Sequence, residues 1–595
     1  HVRNGKHTVV TKKLKCDWQL KQSRHRKEGA FIMKNTKRAR RATAFAAAVV
    51  MAACAAIPMG SSFSASAEGS ISISNTATGH TYEAYQIFDG VLNADKVLSN
   101  IEWGTGIDSA KTADLLTAIK AITITTEDGA TTPFAACTDA KSVAKVLSDA
   151  NAAFDADITK QFASVVGQYL SDTHTDSTQG TGTYDISHLD DGYYLVKDKD
   201  DSLNDVDDSK TRYIVQVLDN KTDITPKSSK PEVIKKVKEN TKDVTATGQT
   251  FAGKDNYDVG TSYNDVADYC IGDAVPFKLY GTMPDTIDDY SKYKYVFHDT
   301  LSKQFDAPAE GNVSVKIDGT DAVGATVSVD STTNEITVTF NDIKAENKIT
   351  KSSIVTVEYN AVLNSSAVIG LNGQENKVYL TYSNNPNWTG TGTETPDDKG
   401  KTPEDKVIVF TYELDTTKVD GNDNTIKLEN AKFILSRKTA ANADEYAKVT
   451  DGKLTGWTTT KGDATELVSG TDGLFKVAGL DSGTYYLTET QAPSGYNTLT
   501  DPIKVELTAT TVNNQTWDEV AASALTELSV KADEVAGTVD EKKGIGSITI
   551  ANNKGSSLPS TGGIGTTMFY VGGGVLVAGA GVLLITKKRA KKDAE

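Results

Sequence analysis

Two stretches of this chain echo one another, "HLDDGYYLVKD" at 188–198 and "GLDSGTYYLTE" at 479–489. Each passes from a Gly-containing turn into Tyr-Tyr-Leu. Gly, Asp and Ser favour turns, and aromatic and branched residues favour the pleated strand that follows. In the second stretch, alternation puts Tyr485, Leu487 and Glu489 on one face and Tyr486 and Thr488 on the other. A carboxylate thus shares the inward face of a half-buried strand.

Outward from these strands the same pattern recurs. "SISISNTATGHTYEAYQIFDG" opens the processed body, and short alternating runs with Gly/Asp turns continue to residue 555. This spacing predicts an all-β chain of tandem immunoglobulin-like sandwiches, elongated, with some helix in its first domain. The helical stretches are "TADLLTAIKAI" and "AKSVAKVLSDANAAF". Pro-, Gly- and Thr-rich linkers, "TPKSSKP" and "SNNPNWTGTGTETPDDKGKTPED", divide the body into 68–227, 228–402 and 403–555. At 595 residues with 38% apolar and 7% aromatic content, the chain can fill several modest cores rather than one large one.

The net charge is −16, yet the basic residues concentrate at both ends, so the body is strongly acidic. Such a surface repels nucleic acid and suits a soluble cell-surface position. "MKNTKRARR" from Met33, an apolar run and "ASA" ending at Ala67 read as an export signal over 33–67. Residues 1–32 read as translated upstream sequence. "MAAC" ending at Cys54 offers a lipoprotein signal as a rival.

Only Cys137 and Cys270 remain after cleavage at Ala67, and they fall in different domains. An exported chain without a disulfide framework must be stabilised in another way. The histidines His80, His174, His188 and His298 are scattered, with no metal-ligand spacing and no GxSxG. No metal, no cofactor and no hydrolase activity are expected.

Thr567 to Thr586 carries no charge and is long enough to span a bilayer before processing. Lys587, Lys588, Arg589, Lys591 and Lys592 hold the tail inside. Just ahead lies Leu558-Pro559-Ser560-Thr561-Gly562 within the segment 556–595. This order of pentapeptide, span and basic tail resembles the LPxTG sorting signal of Gram-positive surface proteins. The resemblance implies cleavage between Thr561 and Gly562 by a sortase. A thiolate would attack the Thr561 carbonyl, and an amine would resolve the thioester.

The body also resembles the backbone pilins of sortase-assembled pili. "TGHTYEAYQIF", "YKYVFHDTLS" and "ENAKFILSR…YYLTETQAPSGY…LPSTGG" carry the likeness. The middle block is similar to fimbrial isopeptide-forming domains and the last to SpaA/Cna-B-type domains. The family's linker lysine, which accepts the next subunit, corresponds to Lys227 in "DITPK". Thr225 stands where the family carries Tyr, and Lys221 and Lys230 are neighbours that could serve instead. A pilus-specific sortase, a housekeeping sortase, peptidoglycan, identical subunits and accessory pilins are the implied partners. The host ligand is not legible. A monomeric wall-anchored adhesin with isopeptide-stabilised stalk domains is the alternative reading.

The resemblance further implies internal Lys–Asn amides. Burial lowers a lysine's pKa and raises an acid's, so a neutral amine can meet a proton-carrying carboxyl beside an Asn. In the last domain these are Lys418, Glu489 and Asn552, with Asn553 as the alternative. In the middle domain they are Lys235, with Lys236 facing the other side as the alternative, and Asn376, which the family pattern favours over Asn384 although parity cannot separate them. For the acid, Asp273 is preferred, and Asp299 is also in phase with core residues. These bonds are expected to join first and last strands of each domain.

Overall fold

The computed structural model describes residues 69–95, 97–126, 129–152, 156–204, 206–218, 220–226, 228–240, 249–251, 254–257, 259–388, 390, 393–512, 517–555 and 564–592. The export signal, Cys54, Lys227 and the pentapeptide Leu558–Gly562 lie outside the described residues.

The first domain is a sandwich with helices on one side. One sheet runs in the order Lys221–Ile224, Gly69–Ser74, Thr183–Leu189, Thr178–Gln179; the other runs Arg212–Val217, Gly192–Asp198, Tyr82–Leu92, Leu98–Trp103. Strand Gly192–Asp198 is buried at every residue because both of its faces are covered. Tyr194 and Val196 pack between the sheets with Ile71, Ile73 and Tyr184. Tyr193 and Leu195 pack against Leu115, Ile119, Val143 and Phe162 of helices Thr112–Lys120, Ala140–Ala152 and Ala156–Val166.

A buried latch fixes the loop after this strand. His80 contacts Asp198 at 2.7 Å through Nδ1 and Asp208 at 3.1 Å through Nε2. Burial opposes its protonation, but hydrogen bonds and charge from the two aspartates outweigh that and raise its pKa to about 9. The loop docks on the middle domain, where Asn384 Nδ2 donates to the Leu203 carbonyl at 2.6 Å and the Lys210 amide donates to the Asn384 carbonyl at 2.7 Å.

The middle domain is a sandwich of two seven-stranded sheets. One contains Val233–Lys238, Ala274–Thr282 and Ile354–Leu363; the other contains Asp405–Phe410, Gln374–Tyr382, Tyr295–Leu301 and Glu335–Phe340. Strand Asp405–Phe410 pairs antiparallel with Gln374–Val378, so it belongs to this domain. The boundary expected at 402/403 therefore moves to the Phe410–Tyr412 link. The Pro- and Gly-rich stretch before it connects two strands of one sheet, and "KVIVF" supplies the final apolar strand.

The last domain is built on a twelve-stranded sheet. Its first strand, Tyr412–Asp420, lies between Leu474–Leu480, antiparallel, and the final strand Ile545–Asn552, parallel. Middle and last domains share one continuous apolar cluster. At their joint the Ile271 amide donates to the Gly479 carbonyl at 2.9 Å. Gly479 has φ +94, and a Cβ there would sit 2.5 Å from the Ile271 side chain, so only glycine permits this approach. Helix Ile564–Lys592 follows, and its Met568–Arg589 portion is long and apolar enough to cross a membrane.

Candidate functional sites: two buried lysine clusters

In the middle domain, Lys235 enters the core from a strand whose Val233 and Val237 share its face. It is 0% exposed, Asp299 is 1% and Asn376 is 0%. Lys235 Nζ donates to Asp299 Oδ1, and to the Tyr359 hydroxyl at 2.9 Å. That hydroxyl donates to Asp299 Oδ2 at 2.6 Å and accepts from Asn376 Nδ2 at 2.9 Å. Tyr359 thus bridges amine, acid and carboxamide. Sheet register explains the meeting of acid and amide: Asp299 pairs with Val378 and Leu301 with Asn376, making Asp299 and Asn376 diagonal neighbours on adjacent strands.

Burial dominates the electrostatics. It lowers Lys235 to about 8, with Asp299 opposing the shift. It raises the Asp299 carboxyl, with Lys235 opposing. Both shifts favour a proton on the acid and a lone pair on the amine. The Lys235 backbone amide also donates to Asp405 Oδ2 at 2.5 Å, and burial raises that carboxyl to about 6.

In the last domain, Lys418 is 0% exposed and Asn552 0%. They lie on neighbouring parallel strands, where Lys418 pairs with Ile550 and Asp420 with Asn552. Glu489 Oε1 is 3.7 Å from Lys418 Nζ, and that nitrogen has no hydrogen-bond acceptor among the described residues. Asn552 Nδ2 donates to Glu489 at 3.1 and 2.9 Å and to the Asn497 carbonyl at 2.8 Å. Burial lowers Lys418 to about 8, against the pull of Glu489. The Phe433 ring lies 5.6 Å from the amine. Both Asn376 Oδ1 and Asn552 Oδ1 are buried without a donor among the described residues.

The other candidates lie elsewhere. Asp273 binds the Arg437 guanidinium through both oxygens at 3.1 Å, across the joint with the last domain. The expected acid of the middle site is therefore reassigned from Asp273 to Asp299. Both residues are in phase with core positions, but only Asp299 pairs with the Asn376 strand. Lys236 is held by Asp265 on the opposite face. Asn384 belongs to the joint with the first domain, and Asn553 is exposed. Tyr359 was not anticipated from sequence. Its phase with Val355 and Val357 in "SIVTVEYNAVL" is the only signal it leaves. The middle-site residues also do not join first and last strands: Asn376 sits on Gln374–Tyr382, ahead of Gly400–Lys401 and the final strand Asp405–Phe410, so a bond there would tie one sheet to the other.

Each cluster holds what amide exchange needs. The amine can lose its proton at modest cost, since about 1.4 kcal/mol corresponds to each pKa unit. The carboxamide is fixed near a buried carboxyl group, Asp299 in the middle domain and Glu489 in the last. Fixed neighbours reach effective concentrations of about 10⁵–10⁸ M.

Comparison with known proteins matches two families. SpaA, a prealbumin-like fold domain, covers residues 412–520, and the LPXTG cell wall anchor motif covers residues 550–593. The trypsin-resistant surface T6 protein of Streptococcus pyogenes serotype M6 is 24% identical, over 39% of this chain and 48% of that protein. The chain thus matches about half the length of this curated relative. Among solved structures, the T6 backbone pilin of serotype M6 Streptococcus pyogenes is 18% identical with a TM-score of 0.47, covering 83% of this chain and 100% of that one. The major pilin SpaD of Corynebacterium diphtheriae is 17% identical with a TM-score of 0.42, covering 82% and 98%.

Proposed function

This is a cell wall-anchored surface protein that resembles Gram-positive backbone pilins, and we propose that it is the shaft subunit of a covalently polymerised pilus. It is a structural protein, not an enzyme. Sortase cleaves after Thr561 and transfers the acyl group to Lys227 of the next subunit. The final subunit is passed to peptidoglycan. Of the neighbouring lysines, Lys230 is engaged by the Asp207 side chain and, at 2.9 Å, by the Asp207 carbonyl. Lys221 lies 3.2 Å from Asp223.

The observation that carries the reading is the pair of buried Lys–acid–Asn clusters, which suit a subunit that bears tension without disulfides. Lys235 Nζ attacks Asn376 Cγ, and Lys418 Nζ attacks Asn552 Cγ. In each, a C–N bond forms and Nδ2 departs as ammonia. Asp299 or Glu489 takes a proton from the incoming amine and delivers one to the leaving nitrogen. Covalent closure of the loops 235–376 and 418–552 stabilises the fold as a disulfide does elsewhere.

The test is a detergent-resistant ladder of high-mass species on the cell surface. Lys227→Ala should collapse it and leave a wall-anchored monomer. A ladder that persists in this variant reassigns the acceptor. If the wild type forms none, the monomeric adhesin replaces the shaft.

A further inference from the structure

The histidines that scatter along the sequence do not all stay apart in the fold. Strand Thr175–Asp176 forms an edge of the first domain, antiparallel to Tyr82–Leu92, with Glu83 opposite Asp176 and Ala84 opposite Thr175. His174 immediately precedes this edge. Its Nε2 lies 3.2 Å from Asp176 Oδ1 and 3.6 Å from Glu83 Oε1. The three ligand atoms all fall within 4.8 Å of one another.

We propose that Glu83, His174 and Asp176 form a divalent-metal site of zinc type. Zinc binds His nitrogen and carboxylate oxygen at about 2.0–2.2 Å in tetrahedral geometry, which sets neighbouring ligand atoms roughly 3.3–3.5 Å apart. The two separations from Nε2, 3.6 and 3.2 Å, bracket that edge, and the third lies within 4.8 Å.

The surroundings are those of a supported ligand set. Glu83 is 5% exposed, and its other oxygen, Oε2, is engaged by the Tyr85 hydroxyl at 3.0 Å and by Lys197 Nζ at 3.2 Å. These partners turn Oε1 towards His174, as outer contacts orient ligating carboxylates. The His174 ring lies against Tyr85 with centroids 5.0 Å apart. Lys199 Nζ lies 3.8 Å from Asp176 Oδ2.

The ordinary alternative is an imidazole held between two carboxylates with no metal. Three features favour the metal: three donor atoms lie within 4.8 Å of one another, the deepest donor has its second oxygen occupied, and the His174 and Asp176 side chains are 26% and 47% exposed, which leaves an entry path and an open fourth position for water or an outside donor. Metal binding would pin the two-residue edge strand to the sheet. None of this depends on the pilin reading, since the site is in the first domain and apart from both lysine clusters.

The test is Zn²⁺ titration of the chelator-treated full chain in detergent, read by calorimetry and by native mass spectrometry. The wild type should take up one Zn²⁺ and melt at a higher temperature with it. His174→Ala and Asp176→Asn should each weaken binding tenfold or more and abolish the melting shift. Unchanged affinity in both variants, or no Zn²⁺ uptake by the wild type, overturns the site.

Discussion

The two buried lysines face the same kind of carboxamide by different routes. Lys235 reaches across the sandwich from one sheet towards the other, and a tyrosine hydroxyl links it to both acid and amide. Lys418 reaches along a parallel strand pair, with the Glu489 carboxylate 3.7 Å away and no hydrogen bond to its nitrogen among the described residues. The arrangement common to both is narrow: amine and amide on different strands, an acid from a third strand, and deep burial of all three. The tyrosine is a local addition in the middle domain. It offers the Lys235 amine a second polar partner beside Asp299.

The largest effect should come from deleting the acids, because under the proposed chemistry each deletion prevents a covalent tie and takes the carboxylate partner from a buried amine. Glu489→Ala should retain one extra ammonia mass and destabilise the last domain. Breaking a buried pair costs about 3–5 kcal/mol, and the lost closure of the loop 418–552 adds roughly 5 kcal/mol in the chain-entropy description. Asp299→Ala should do the same to the middle domain. Calorimetry with intact mass reads both, and a normal mass in either variant would remove that acid from the chemistry.

The next effect depends on pH. In Asn552→Ala the amine of Lys418 stays free, with its folded pKa near 8, below the ordinary lysine value of 10.5. Its unfolded form therefore binds more protons between those values. Stability of this variant should rise from about pH 8 to 10.5, and the penalty should be full below pH 8. In the wild type the proposed crosslink would take this nitrogen out of titration, so the rise should be absent. Melting temperatures across that range distinguish the two.

Tyr359→Phe sharpens the contrast between sites. It should slow closure of the middle tie and cost about 1 kcal/mol for the lost hydrogen bonds, with the last domain unaffected. Ammonia release after refolding, followed by mass, measures the rate. Equal slowing in both domains would contradict the separate roles drawn here.

The smallest effect should follow Asp273→Ala. It removes the half-buried bridge to Arg437, costs about 1 kcal/mol at most, and leaves both ammonia losses intact. A missing loss would restore Asp273 as the middle acid.

Much of this was legible because strands carry a strict two-residue period. The phase of Lys418 with Leu414 and Thr416, and of Glu489 with Tyr485 and Leu487, follows from alternation alone. Phase does not say which strands are neighbours. Asp273 and Asp299 satisfy the same periodicity, and only the pairing of Tyr295–Leu301 with Gln374–Tyr382 distinguishes them. The same limit hid Tyr359, and it hid His174, whose partner Glu83 lies far back in the chain. The boundary near 402 was misplaced for a compositional reason: a connection inside one sheet can be as rich in Pro, Gly and Thr as a linker between domains.

The most direct test is the intact mass of the purified chain, with its termini fixed by peptide sequencing. Two internal amides predict the sequence mass less two ammonia molecules, with Lys235–Asn376 and Lys418–Asn552 recovered as branched peptides. A chain that weighs its full sequence mass would contradict the account.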